Sequence, residues 1–152
     1  MGSLVFVLVF LSANVAPVAA DPVRANNLVF GMMFIDRCEV QTTGDDLRVR
    51  KVPEGNIIGK LSNGSRVNVT NRWSKISATV KGKFINGWVA SSFLNEGYVE
   101  TDGDNLNVRS LPPTGAIVGK LPNNTLVKTL DTWANISFKN GWVSSEFLGN
   151  CE

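Results

Sequence analysis

Histidine is absent from this 152-residue chain, and cysteine occurs only twice. Imidazole is the usual base that activates a thiol nucleophile and a common zinc ligand, so the sequence excludes Cys–His peptidase chemistry and histidine-ligated zinc hydrolysis. Neither sign of charge dominates, since the net charge is only +2. This excess of positive charge is too small to predict nucleic-acid binding. We therefore predict a protein that is not an enzyme, uses no metal or other cofactor, and has no nucleic-acid partner.

Long apolar runs are missing as well. The run from Leu4 to Leu11 is far short of the roughly 20 residues that cross a bilayer, and it is followed by small residues and by Val18-Ala19-Ala20. This pattern predicts a signal peptide over 1–20, and hence a secreted protein that is extracellular or periplasmic and has no permanent membrane span. No Lys or Arg precedes the run, so an uncleaved membrane tether is the alternative.

A second apolar patch, Leu28 to Ile35, lies in the predicted linker at 21–37. It is also too short to span a membrane. We favour an extra strand or strap packed against the domain that follows. The alternative is a contact surface for a partner.

The two cysteines, Cys38 and Cys151, bracket almost everything that follows the linker. In an oxidising compartment this placement predicts one intramolecular disulfide. Closing so long a loop stabilises a fold by about 4–5 kcal/mol in the chain-entropy model. Two free thiols or an intermolecular bridge are the alternatives.

The remaining sequence contains an internal repeat. Its matching segments are Leu47-Arg48-Val49-Arg50 with Leu106-Asn107-Val108-Arg109, Ile58-Gly59-Lys60-Leu61 with Val118-Gly119-Lys120-Leu121, Trp73 with Trp133, and Gly87-Trp88-Val89 with Gly141-Trp142-Val143. A period near 60 residues predicts two small domains, which we place at 38–96 and 97–152.

Both repeats have the pattern of β-structure. Val67 and Val69 alternate with polar residues, as in a half-buried strand. Turn signals occur at Asn63-Gly64, Asn86-Gly87 and Asn140-Gly141. We predict an all-β protein in which each repeat closes into a small barrel, because closure removes exposed strand edges.

The repeated residues resemble the bacterial-type SH3 (SH3b) domain, whose pattern is an L-N-V-R stretch, a Pro/Gly-rich loop, an I-G-x-L strand, a central Trp and a closing G-W-V. The resemblance covers 38–96 and 97–152. It implies two SH3-like barrels in tandem and an accessory role: such domains commonly bind cell-wall peptides or glycans, or position a neighbouring catalytic domain.

The repeats differ in charge and in one loop. Residues 37–96 hold ten Lys or Arg against five Asp or Glu, whereas residues 97–152 hold four against six. Repeat 1 also has six extra residues between its last two tryptophans, including Lys81, Lys83 and Phe84 at a predicted hairpin tip. This tip is a candidate contact for an acidic polymer or a partner protein. The alternative is a tolerated insertion with solvated charges.

Three further side chains are candidate ligand contacts. Trp73 and Trp133 follow polar turns, so partial exposure would let their rings stack on a sugar or pack against a peptide; barrel packing is the alternative. Arg48 is replaced by Asn107 in the second copy and is therefore free to serve a ligand, while Arg50 and Arg109 are expected to fix a loop or carboxylate. The Asp45-Asp46 pair is interpreted as a turn former rather than as a catalytic pair or a cation site.

These observations favour a secreted, non-catalytic module that binds cell-wall (peptidoglycan) peptide or glycan, with the basic repeat 1 supplying most of the attraction. The alternative is a protein-interaction adaptor that targets a separate cell-wall hydrolase or surface receptor.

Overall fold

The computed structural model describes residues 36–152, in which almost all regular structure is extended. The predicted signal peptide and the segment from Leu28 to Ile35 lie outside this range. The strands are β1 (Asp36–Val40), β2 (Leu47–Arg50), β3 (Ile57–Leu61), β4 (Arg66–Val80), β5 (Lys83–Ala90), β6 (Leu94–Asn95), β7 (Tyr98–Val99), β8 (Leu106–Arg109), β9 (Ile117–Leu121), β10 (Lys128–Ile136), β11 (Gly141–Ser144) and β12 (Leu148–Gly149). Short 3₁₀ turns occupy Ser91–Phe93, Phe138–Asn140 and Ser145–Phe147.

The strands form one large sheet with an internal symmetry. Its order is β3-β2-β11-β10-β4-β5-β8-β9, with β1 paired to β4 and β12, while β6 and β7 form a separate pair. The sequence repeat relates β3 to β9, β2 to β8, β11 to β5 and β10 to β4, so the order is the same when read from either edge. The all-β prediction is confirmed. Among the described strands, no sheet closes into a barrel.

The symmetry centres on the antiparallel pair β4 and β10. Trp73 and Trp133 are directly opposite each other in this pair. The register slips once on either side of them, at Leu130 and at Thr70, which are equivalent positions of the two repeats. A slip of one residue is a β-bulge, which bends and twists its strand. Each long strand is therefore divided into two segments that face different surroundings.

Two hydrophobic cores result, and each is built from both repeats. The first core contains six residues of repeat 1 and three of repeat 2. They are Cys38, Val40, Leu47, Val49, Val67 and Val69 from repeat 1, and Ala134, Ile136 and Val143 from repeat 2. In the second, four residues of the first repeat join five of the second: Ile76, Ala78, Ile85, Val89, Val99, Leu106, Val108, Leu121 and Val127. The repeats thus exchange strands, and neither core is confined to 38–96 or to 97–152.

The glycines of the two G-W-V segments allow this exchange. A Cβ on Gly87 would lie 2.6 Å from the carbonyl oxygen of Arg109, and a Cβ on Gly141 would lie 2.2 Å from Cγ1 of Val49. Each of these glycines therefore lets its strand approach a strand of the other repeat. The prediction of a turn at Asn86-Gly87 is wrong, because both residues lie inside β5.

The hairpin tip predicted from the insertion is confirmed. Lys81 and Gly82 join β4 to β5 with φ angles of 50° and 77°. Positive φ at both central residues matches the twist of the flanking strands, and Gly82 adopts it without a steric penalty. Repeat 2 turns within the shorter Phe138–Asn140 segment, where Lys139 and Asn140 have positive φ.

The predicted disulfide is present between Cys38 and Cys151. Strand exchange explains why cysteines from opposite ends of the repeat region meet, since β12 of the second repeat pairs with β1 of the first. A disulfide fits an oxidising, extracellular environment. From Asp36 onward, the chain contains no helix with the length and hydrophobicity needed to cross a bilayer.

Candidate binding groove

A groove of about 660 Å³ lies where the first repeat meets the end of the second. We call it the binding groove. It is lined by the loop before β2, by β2 itself, and by three residues of the second repeat: Thr42, Thr43, Gly44, Asp45, Asp46, Leu47, Arg48, Arg50, Trp133, Ser144 and Phe147. The lining combines two aromatic rings with charges of both signs.

Backbone hydrogen bonds fix the loop that forms one wall. The N–H of Gln41 donates to the carbonyl oxygen of Phe147 at 2.8 Å, and the N–H of Thr42 donates to Oδ1 of Asn63 at 2.9 Å. The same two bonds recur in the other half, from Glu100 and Thr101. The start of the loop is therefore anchored in the same way in both halves.

Trp133 forms the aromatic floor. Its indole Nε1 donates to Oδ2 of Asp131 at 2.6 Å, and the residue is only 7 % exposed. It packs with Trp73, Trp88 and Trp142 in a cluster at the centre of the sheet. The expectation of partial exposure is therefore wrong for Trp133, because its ring packs in this cluster. Trp73 is half-buried in the same cluster.

The two arginines of β2 have different surroundings. Arg50 donates from Nη1 to the carbonyl oxygen of Gly55 at 2.7 Å, and Arg109 makes the equivalent bond to Gly115 at 3.0 Å. Their predicted role in fixing a loop is confirmed. Arg48 is exposed, and it makes no ion pair with any residue from 36 to 152. Its guanidinium is available to a ligand.

The carboxylates of Asp45 and Asp46 are exposed at the mouth of the groove. Within 36–152, neither forms a salt bridge. No group of three or more acidic, cysteine or histidine side chains in this range has a geometry that could hold a metal ion. These two carboxylates and Arg48 therefore present opposite charges side by side.

The hairpin candidates lie elsewhere. Phe84 lines a different, shallower channel together with Leu126 and Lys128, and Lys81 and Lys83 are at the adjoining tip. The structure thus places the six predicted ligand residues in three places: Arg48 and Trp133 in the binding groove, Trp73 in the tryptophan cluster, and the remaining three at the hairpin.

The equivalent surface of the other half has different chemistry. Asn107 replaces Arg48 there, and Ala90 replaces Ser144. The sequence comparison of the two repeats could find the Arg48 difference. It could not find Ser144 and Phe147 as groove residues, since these come from the opposite repeat through strand exchange.

The chain matches no protein-family model, and no curated protein or solved structure is similar to it.

Proposed function

We propose that this chain is a non-catalytic binding protein that uses the binding groove to hold a peptide or glycan of the cell wall. The observation that carries the proposal is the unpaired guanidinium of Arg48 in the same groove as the ring of Phe147, which is 37 % exposed. An aromatic face supports a sugar ring or an apolar peptide segment, and a free guanidinium forms charge-assisted hydrogen bonds with carboxylates.

The composition of the groove favours binding over catalysis. Its ionisable groups are two aspartates and two arginines, one of which is held by Gly55. A nucleophile paired with a base, or a carboxyl group buried in an apolar site, would support a hydrolytic proposal. The exposed carboxylates of Asp45 and Asp46 have neither arrangement.

The resemblance of the repeats to SH3b domains supports the same proposal. We interpret the two cores as two SH3-like units that have exchanged their C-terminal strands. The disulfide is consistent with action outside the reducing cytosol. In this interpretation, the groove with Arg48 binds the wall more strongly than its counterpart with Asn107.

Co-sedimentation of the whole chain with purified peptidoglycan tests the proposal. We expect Arg48→Ala to weaken binding about tenfold, the effect of losing one charge-assisted hydrogen bond of about 1.4 kcal/mol or slightly more. Binding should also weaken as salt screens the guanidinium. Asn107→Ala, at the equivalent position of the other half, is the matched control and should leave most of the binding intact.

Failure of the unmodified chain to sediment with peptidoglycan at low salt would contradict the proposal. Equal losses in Arg48→Ala and Asn107→Ala would also contradict it, since the groove would then not be the site of contact.

A further inference from the structure

The β4–β5 hairpin builds a second apolar surface, separate from the binding groove. Thr79 pairs with Phe84 across the hairpin, and both are exposed, whereas the neighbouring Ala78 and Ile85 are buried in the second core. Because side chains alternate along a strand, Thr79 and Phe84 lie on the outer face of the sheet. Phe84 is 65 % exposed.

The segment directly before β10 supplies the opposite wall. Leu126 precedes the first paired residue of β10, Lys128, and lines the same cavity as Thr79 and Phe84. Leu126 is 63 % exposed. The lining thus includes two large exposed apolar residues, Leu126 and Phe84, and the smaller Thr79. The result is a channel of about 420 Å³, which we call the hairpin channel.

One lysine lines this channel and two more lie at the adjoining hairpin tip. Lys128 lines it directly, and Lys81 and Lys83 are at the hairpin tip. No acidic residue occurs in 76–86 or in 124–130, the segments that form both walls. The nearest acid along the chain is Asp131, which follows Leu130 and accepts a hydrogen bond from the indole of Trp133. Glu96 and Glu100 flank Tyr98, which bridges to Leu126.

Within residues 36–152, the equivalent surface of the other half is built from different residues. Its hairpin is shorter, and Phe138 packs against the backbone at Gly59, where a Cβ would lie 3.2 Å from the ring. Arg66 and Asn68 occupy the positions equivalent to Leu126 and Lys128. The apolar channel with a basic rim is therefore a product of the inserted residues of repeat 1.

We propose that the hairpin channel binds an extended acidic segment of a partner protein, which inserts an apolar side chain between Leu126 and Phe84. Two large apolar residues exposed on either side of a narrow floor provide a pocket for one side chain. Lys128 in the wall attracts a carboxylate directly, and the lysines of the hairpin tip add to the positive potential.

This inference does not depend on wall binding by the groove. It is tested in the absence of wall material with the whole chain and three labelled synthetic peptides, measured by fluorescence polarisation. The first peptide has a central Phe flanked by Glu residues, the second has Gln in place of Glu, and the third has Ser in place of Phe. We expect the first to bind at least about tenfold more tightly than the other two.

Two sets of variants connect binding to the channel. Phe84→Ser with Leu126→Ser should remove the preference for Phe, and both positions are exposed enough that folding is retained. Changing Lys81, Lys83 and Lys128 to Gln should remove the preference for Glu. The matched control changes Lys51, Lys60 and Lys120 to Gln and should preserve both preferences.

Equal affinity for the three peptides would overturn the proposal, as would identical binding by the channel variants and the control. Binding to vesicles of phosphatidylglycerol without binding to any of the peptides would also overturn it and identify a lipid surface as the occupant.

Discussion

At the scale of single residues, two pairs of equivalent side chains show how the repeat serves the fold. Arg50 and Arg109 each hold a loop carbonyl, and Gly87 and Gly141 each allow a neighbouring strand to approach closely. The sequence repeats these residues because both halves need them. Arg48 lacks such a role and has no equivalent in the second copy.

Substituting either close-approach glycine should destabilise the fold. We expect Gly87→Ala and Gly141→Ala each to lower the free energy of unfolding by about 1–3 kcal/mol, because the new methyl group overlaps backbone or a buried valine. Urea denaturation measures the change.

Gly44→Ala is the control for this experiment. A Cβ there has no heavy atom within 4 Å, so the free energy of unfolding should change by less than about 0.5 kcal/mol. Equal losses at all three positions would show that close approach is not the reason for the glycines.

The hydrogen bond from Trp133 to Asp131 is also open to test. Asp131→Ala leaves the indole N–H of a buried tryptophan without its acceptor, which should cost about 1–3 kcal/mol. The emission of the tryptophan cluster should shift at the same time. An unchanged stability would mean that the bond contributes little to holding the groove floor.

At the scale of elements, strand β4 connects the two cores. It is 15 residues long and contributes buried side chains to both. Val67 and Val69 lie in the first core, while Ile76 and Ala78 lie in the second. The bulge at Thr70 separates the two segments. Strand β10 contributes Ala134 and Ile136 to the first core, and Val127, directly before this strand, lies in the second.

Truncating a buried isoleucine in either long strand should therefore affect the whole fold. We expect Ile76→Ala and Ile136→Ala each to cost about 2–5 kcal/mol, the usual range for a fully buried isoleucine. Each variant should still unfold in one transition, observed by tryptophan fluorescence and by circular dichroism.

The control is Ile57→Ala, where the side chain is 47 % exposed and little buried area is lost. Two separated transitions in Ile76→Ala or Ile136→Ala would show that the cores unfold independently, in conflict with the shared strands.

At the scale of the whole molecule, strand exchange makes the two repeats inseparable. We predict that cutting an engineered protease site between Glu96 and Gly97 leaves both fragments associated, even after the disulfide is reduced, because each core keeps strands from both fragments. Size-exclusion chromatography under reducing conditions detects this association. Separate elution of the fragments at micromolar concentration would contradict the exchanged arrangement.

The disulfide acts on the same scale. It joins residues 113 positions apart, so replacing both cysteines, as Cys38→Ala with Cys151→Ser, should lower the free energy of unfolding by about 2–5 kcal/mol. Reduction of the unmodified chain should have a similar effect in urea denaturation. A loss well below 1 kcal/mol would mean that the exchanged strands already restrict the chain without it.

The sequence by itself determined the all-β class, the repeated strands, the hairpin tip at Lys81-Gly82 and the pairing of Cys38 with Cys151. These follow from local signals: alternation of apolar residues, turn residues and the position of two cysteines in the chain. Only the tertiary structure decided which repeat completes which core, and hence that Arg48 shares a groove with Trp133 and Phe147. Two similar repeats carry equivalent strands, so local propensity is the same whether a strand packs within its own repeat or in the other. That choice depends on long-range packing between strands, which no local pattern records.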